Sequence, residues 1–305
     1  MLYQLRLSAE LYMKLPFERI KHLKEPIFIK NAKERYPEHF QISEMVINQL
    51  HEWIDRTDIP VPQTALGIVK FASVIRAFNL YRSINVLLET DHWEDAAVLS
   101  RSMFELLLNL EEIVRDKESA ENKAIKYLRF QKLQEHLHQI SLIDYEAQTG
   151  RRSKEQVSKL TEREKMTKSI FTEFLSKRKG PEWETSWCGK SVYKLANDSA
   201  NPMRIPQYKI IYSLFSDFSH SSPYSVMTTM ALGNTPEETE KLFQSCENAE
   251  KRHMTLVLTI STTWLLEILF IGKCEIPLYD VKWNFEVLKR IYKCYGVESP
   301  KLPWE

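Results

Sequence analysis

Glycine is scarce in this chain, at only 7 of 305 residues. Tight β-turns and phosphate-binding loops depend on glycine, so the shortage favours long helices and argues against a Rossmann or P-loop core. Cysteine is scarce too, and the four cysteines, Cys188, Cys246, Cys274 and Cys294, never form a C-x-x-C pair. That spacing excludes a zinc ribbon or a thioredoxin-like motif and is typical of free thiols in a reducing cytoplasm.

An excess of either charge is also missing. Lys and Arg number 42 against 41 Asp and Glu, so whole-chain electrostatics predict neither a nucleic-acid coat nor a membrane-surface protein. Residues 1–17 mix charges throughout and do not resemble a secretory signal. The apolar run Met254–Ile271 approaches the length of a membrane span, but Glu267 and five Ser or Thr side chains favour a buried core helix. We expect a cytoplasmic protein with no membrane contact.

Apolar residues recur at three- and four-residue spacing through most of the chain, which indicates amphipathic helices. The pattern predicts helices over 37–57, 63–89, 91–115, 118–147, 153–179, 191–197, 207–218, from 235 onward, and 281–295. Asp91 is the expected cap of the third helix, with Glu94 reaching back to it. The sequence therefore predicts an all-α protein: a single large helical bundle with a projecting helical hairpin. An N-terminal segment, 1–36, precedes the bundle domain, 37–305, and the hairpin is an insertion at about 118–179.

The helix over 91–115 is apolar around most of its circumference and is therefore expected at the centre of the fold. Its polar residues form one narrow stripe of Arg101, Glu105, Asn109 and Glu112, with Ser102 at the margin. In one interpretation this stripe faces solvent, and Arg101 and Glu105 form an ordinary i,i+4 ion pair. In the other it faces an internal polar cleft, where an arginine needs a carboxylate, phosphate or carbonyl partner.

A second polar stripe lies on the apolar run near the C-terminus, where Thr255, Thr259, Thr263 and Glu267 follow at four-residue intervals. Threonines that bond their own backbone carbonyls are one explanation. Alternatively the two stripes face each other, and Glu267 is then the expected buried partner of Arg101.

The segment 207–220 carries Ser213, Ser216, Asp217 and His220 opposite its apolar face. Histidine takes and gives protons near neutral pH, so His220 is a candidate acid or base, although a structural histidine at a helix end explains the pattern equally. A Ser-His-Asp triad does not follow, because Asp217 and His220 are neighbours on one helix and no G-x-S-x-G sequence exists.

Other motifs are incomplete. Gly189-Lys190-Ser191 imitates the end of a phosphate-binding loop, but Glu184 stands where the first glycine belongs. Arg129 and His136 fit the loose arginine–histidine spacing of HEPN ribonucleases, a match that chance alone supplies about once in this composition. Histidines and carboxylates do not recur at metal-ligand spacing, so neither a metal nor a cofactor is expected.

Four blocks in order resemble a family of uncharacterised bacterial helical proteins over roughly residues 60 to 270. They are Arg101-Ser102-x-x-Glu105, Lys126-Tyr127-Leu128-Arg129, Trp187-x-Gly189-Lys190-Ser191, and Tyr212-x-x-Phe215-Ser216-x-x-Ser219-His220. The resemblance implies that Arg101, Glu105, Tyr127, Trp187 and His220 matter. Proteins of this kind are similar to abortive-infection and HEPN-like effectors, and that similarity is an analogy of fold.

Two functions follow as hypotheses. The first is a metal-independent RNA-cleaving effector in which His220 is the acid or base and Arg101, fixed by Glu105, stabilises phosphate charge. The second is a non-enzymatic binding or assembly module that holds a small anionic ligand or a protein partner, with a homo-oligomer among its forms. In either case the expected ligand-binding residues are Tyr127, Arg129, Trp187, Ser216 and Glu267.

Overall fold

The structure is a computed structural model. The structure describes residues 32–35, 37–55, 61–90, 92–150, 154–176, 182–219, 236–276 and 278–294. The helices are α1 Ala32–Arg35, α2 Pro37–Ile54, α3 Ala65–Glu89, α4 Trp93–Val114, α5 Ala120–Gln148, α6 Lys154–Ile170, α7 Val192–Asp198, α8 Arg204–Gln207, α9 Ser213–Ser219, α10 Pro236–Gly272 and α11 Val281–Cys294. A π-helical turn, Tyr208–Tyr212, joins α8 to α9.

The all-α prediction is confirmed. Within the described residues the only β-type pairing is one isolated bridge between Leu175 and Trp183, and no strand is formed. The division into residues 1–36 and a bundle domain stays a prediction, because residues 1–31 lie outside the described part of the chain.

The core is built by α3, α4 and α10, which pack against one another along their lengths. Phe104 and Leu107 of α4 and Trp264 of α10 are completely buried between them. Each such side chain contributes about 1.5–3 kcal/mol when it leaves water. Near the end of α10, Gly272 lies so close to α3 that an added Cβ would be 2.6 Å from a methyl group of Val74. The central position expected for α4 follows from its wide apolar surface.

The ends of α3 and α4 are set by different means. At the start of α3, the two carboxylate oxygens of Glu121 accept hydrogen bonds from the N–H groups of Ala65 and Leu66, and the Thr64 hydroxyl accepts from the Gly67 N–H. The expected cap of α4 is wrong: the helix begins at Trp93 with His92 as its N-cap, and Asp91 lies outside the described residues. Acidic residues in the first turn of α4, Glu94 among them, complement the helix dipole there.

Helices α5 and α6 pack against each other as the predicted hairpin pair, but α6 is shorter than expected. It ends at Ile170 rather than near residue 179. Phe171 and Phe174 follow at once and pack edge-on against His136 and Phe130 of α5. Burial of these two rings turns the chain towards α5, although the charged residues beyond them favour a continued helix by propensity.

The threonines of the second polar stripe bond the backbone of α10. Thr259 donates to the carbonyl of Thr255 and Thr263 to that of Thr259, which confirms the structural explanation of this stripe. In the part of the chain that the structure describes, Lys251–Glu275 is the one helix with the length and composition of a membrane span, and 61% of its apolar window is buried inside the protein. Such burial is compatible with a soluble protein.

Candidate functional site

The polar stripe of α4 is covered by residues 187–216, called the covering segment below. Four side-chain hydrogen bonds join the stripe to the covering segment: Arg101 and Glu105 bond Tyr212, Asn109 bonds Trp187, and Glu112 bonds Lys190. These contacts cover most of the stripe, while the Arg101 and Glu105 side chains remain 23% and 40% exposed. The stripe is a polar interface inside the protein, partly accessible at its Arg101 end.

At that end, Arg101, Tyr212 and Glu105 form what we call the Arg–Tyr–Glu cluster. Arg101 Nη2 donates to the Tyr212 oxygen at 2.7 Å, and the Tyr212 hydroxyl donates to Glu105 Oε1 at 2.8 Å. The guanidinium carbon also lies 4.4 Å from the centre of the Tyr212 ring, a cation–π distance, and Arg101 Nε is 3.6 Å from Glu105 Oε1. The guanidinium is thus held through the tyrosine at least as much as by the carboxylate.

The proton of Tyr212 is tightly held. Burial is the main cause that raises its pKa to about 12, and the neighbouring Glu105 carboxylate acts in the same direction while Arg101 opposes it. The phenol therefore stays neutral at physiological pH, donating its proton to Glu105 while its oxygen accepts from Arg101. The Glu105 side chain itself is 40% exposed, so the carboxylate end of the cluster is open to water.

The π-helical turn at Tyr208–Tyr212 extends this cluster towards the surface. Tyr208 stacks on Tyr212 with ring centres 5.1 Å apart, and Tyr193 of α7 meets Tyr208 edge-on at 5.4 Å. Exposure falls from 46% at Tyr193 to 7% at Tyr212. These three rings form a continuous path, called the tyrosine ladder below, from the surface to Arg101. Such turns are frequent at functional sites.

The middle of the stripe is held by a tryptophan. Trp187 Nε1 donates to Asn109 Oδ1 at 2.7 Å, and the Asn109 amide donates back to the Glu105 carbonyl. Tyr127 of α5 packs edge-on against the Trp187 ring with centres 5.7 Å apart. Burial raises the pKa of Tyr127. Two residues marked by the sequence blocks, Tyr127 and Trp187, are therefore brought together.

At the far end of the stripe, the buried carboxylate of Glu112 lies among three cations. Arg115 Nη2 is 2.6 Å away, Lys190 Nζ 3.0 Å and Lys123 Nζ 3.8 Å. Lys190 also contacts Asp198, which pairs with Lys194 as well. We call these residues the lysine cluster.

Charge pairing tunes two groups of the lysine cluster. Hydrogen bonds from Lys194 and Lys190 lower the pKa of Asp198 to about 2. Burial by itself lowers the pKa of Lys190, but Glu112 and Asp198 outweigh it and raise the pKa overall. Both groups therefore keep their charges at physiological pH.

A buried arginine joins α4 to α10. The Arg204 side chain is only 2% exposed; its Nε and Nη2 donate to Glu111 Oε1, and Nη2 also lies 2.9 Å from Glu267 Oε2. The expected pairing of Glu267 with Arg101 is thus wrong: its cation is Arg204, because the covering segment lies between the two stripes. Burial raises the pKa of Glu267, which Arg204 partly offsets and Glu111 reinforces.

The other predicted site residues are placed differently. Arg129 faces α6, where it donates to Glu173 and to the Ile170 carbonyl, so it does not join the stripe. Ser216 lies one turn beyond Tyr212 and is half-buried. His220 lies outside the described residues, and its proposed part in the site remains a prediction.

Sequence reasoning does not identify three residues of the site. Tyr212 belongs to one of the four sequence blocks, but its spacing indicates no role, and Lys190 resembles only the end of a phosphate-binding loop. Arg204 lies in no periodic pattern, and nothing in its local sequence indicates a buried charge. In the described residues no group of three or more His, Cys, Asp or Glu side chains could hold a metal ion.

Fold and site define an all-helical protein whose central helix carries a polar stripe covered by a tyrosine- and lysine-containing segment. A family model for a family of unknown function, DUF5677, matches residues 68–238, more than half of the chain, and the protein belongs to this family. The matched region contains the whole stripe and the whole covering segment. No curated protein and no solved structure matches the chain.

Proposed function

We propose that the protein is a cytoplasmic, metal-independent RNA-cleaving effector of the defence type, acting through Arg101, Glu105 and His220. The observation that carries this proposal is the Arg–Tyr–Glu cluster. It fixes a permanent positive charge next to a water-accessible carboxylate, 23% and 40% exposed respectively. An arginine fork suits the oxygens of a phosphodiester, and a held guanidinium needs no reorganisation when charge develops on them.

The reaction follows from these groups. The 2′-hydroxyl oxygen of a ribose attacks the adjacent phosphorus and gives its proton to Glu105. The bond from phosphorus to the 5′ oxygen breaks, and that oxygen takes a proton from His220, which follows directly after Ser219 of α9. Arg101 stabilises the negative charge that develops on the non-bridging oxygens of the phosphate, and Tyr212 positions the guanidinium. The products are a 2′,3′-cyclic phosphate and a free 5′-hydroxyl.

The experiment is cleavage of end-labelled single-stranded RNA in the presence of EDTA, with the new ends analysed for cyclic phosphate. We expect Arg101→Ala and His220→Ala each to slow cleavage by about 100-fold or more. Arg82→Ala is the matched control, since Arg82 is also an arginine over a ring, 5.7 Å from the centre of Phe78, but lies on the exposed side of α3.

Folding of each variant is compared by circular dichroism and thermal melting, so that lost activity is not confused with lost structure. Absence of cleavage by the wild-type protein, or equal rates in wild type, Arg101→Ala and His220→Ala, would contradict the proposal.

A second candidate is the binding of a small anionic ligand, favoured by the lysine cluster. Its four cations are Arg115, Lys123, Lys190 and Lys194. They lie near three carboxylates, Glu112, Asp198 and Asp116, and this leaves a local excess of one positive charge. Inorganic pyrophosphate is a suitable probe. At 100 times its Kd a ligand raises stability by about 2.7 kcal/mol. A rise in melting temperature that Lys190→Gln abolishes and Lys132→Gln retains would support this function, whereas no rise over chloride at equal ionic strength would exclude it.

A further inference from the structure

We infer that the tyrosine ladder is a binding platform for single-stranded RNA, on which Tyr193 and Tyr208 stack with unpaired bases while Lys194 and Lys209 contact the flanking phosphates. The inference rests on the proposed function, since it names the form of RNA that reaches the Arg–Tyr–Glu cluster.

The aromatic part of the platform is already assembled. Tyr193 is 46% exposed, Tyr208 is half-buried, and both are fixed by ring contacts that end at the buried Tyr212. A ring held in place loses little side-chain freedom when a base stacks on it. Stacking of bases on aromatic side chains is a main source of affinity in proteins that bind single strands.

The charged part follows the same two positions. Each outer tyrosine is followed directly by an exposed lysine, Tyr193 by Lys194 and Tyr208 by Lys209. Lys194 pairs with Asp198, which also accepts from Lys190, so the charge of Lys194 is only partly neutralised. A ring next to a cation at each of two positions suits a chain in which bases alternate with phosphates.

The ladder also gives the bound strand a direction. Its innermost ring, Tyr212, contacts both Arg101 and Glu105. A strand that stacks on Tyr193 and Tyr208 therefore has its next phosphate directed towards the Arg101 guanidinium. Duplex RNA lacks accessible base faces, so it cannot use the rings and should bind only through its phosphates.

The probe is a fluorescein-labelled decauridine with 2′-O-methyl groups, which lacks the attacking hydroxyl and so separates binding from cleavage. Fluorescence anisotropy should show Tyr193→Ala raising the Kd at least about fivefold, the lower end of the stacking contribution, and Tyr193→Trp retaining affinity. Tyr145→Ala is the matched control, because Tyr145 is 56% exposed but lies on α5 away from the ladder. The same probe annealed to its complement should bind more weakly than the single strand.

The lysines are tested by salt. A plot of log K against log salt concentration has a slope of about −0.7 per phosphate contact for single strands, so the double substitution of Lys194 and Lys209 by Gln should reduce the slope by about 1.4. Lys132→Gln, which breaks a similar surface pair with Glu135, should leave the slope unchanged.

Equal Kd values for Tyr193→Ala and Tyr145→Ala, equal affinity for duplex and single strand, or no binding by wild type would each overturn the inference. Binding that depends on Tyr193, in a protein that leaves unmodified RNA intact, would support the platform and refute the cleavage function. Cleavage of RNA by a protein whose affinity for RNA does not depend on Tyr193 would support the cleavage function and refute the platform.

Discussion

Replacement of Arg204 by Met should destabilise the protein strongly, because it leaves two carboxylates facing each other without a cation. Arg204 is 2% exposed, while the Glu111 and Glu267 side chains are 18% and 28% exposed. Removing one partner of a buried ion pair costs about 3–5 kcal/mol. The Glu111 and Glu267 side chains each keep some surface at the solvent, although the Glu267 Oε2 atom is itself buried, so we expect about 3–4 kcal/mol. Methionine fills most of the volume and isolates the loss of charge.

The effect should depend on pH. Burial raises the pKa of Glu267, so the folded protein holds this proton more tightly than the unfolded chain. Its contribution to stability is therefore complete below the unfolded value of 4.5 and is lost as pH rises through the folded pKa. Without Arg204 that pKa rises further, so Arg204→Met should be more harmful at pH 8 than at pH 5. Glu267→Gln removes the titrating group. The stability of this variant relative to wild type should therefore improve as the pH rises from 5 to 8.

The assay is urea denaturation at pH 5 and pH 8, because urea leaves the ionic strength unchanged. Arg129→Met is the matched control: Arg129 pairs with Glu173 at 2.6 Å but is largely exposed, and its loss should cost less than about 1 kcal/mol. The reasoning is refuted if Arg204→Met and Arg129→Met lose the same free energy, or if Arg204→Met is better tolerated at pH 8.

Two further predictions concern the covering segment. Gly189→Ala should lower the free energy of unfolding by about 1–2 kcal/mol, because φ is +70° there and no atom lies closer than 3.9 Å to an added Cβ, so the loss is one of backbone conformation alone; an unchanged urea midpoint would contradict this. Trp187→Phe should cost about 1–3 kcal/mol by leaving the partly buried Asn109 oxygen without its donor. The double variant Trp187→Phe/Asn109→Ala should cost less than the sum of the two single variants. If it costs as much as that sum, the hydrogen bond contributes nothing to stability.

The position of α4 and the membership of its polar stripe could be predicted from sequence, because both depend on the helical period within one element. Arg101, Glu105, Asn109 and Glu112 were identified by that period, and all four meet the covering segment. What covers them could not be predicted, since the partners lie 78 to 111 residues away in the chain.

Two local errors have the same origin. The predicted end of α6 is too late because the basic residues near 177–179 favour a helix, while the observed end depends on burial of Phe171 and Phe174 against another helix. A uniform 100° rotation per residue over 207–220 does not hold, because the π-helical turn interrupts it. In both cases tertiary contacts override the local pattern.

The π-helical turn at Tyr208–Tyr212 makes the site sensitive to the length of the chain as well as to its composition. A turn closed by i→i+5 hydrogen bonds holds one residue more than an α-helical turn, and one residue corresponds to about 100° of rotation. Deletion of a single residue between Arg204 and Tyr212 would leave Arg204 on Glu111 while it rotates Tyr212 away from Glu105. The cluster can thus be dismantled by a deletion that removes none of its side chains, and family members with a one-residue gap here would present a different side chain to Arg101.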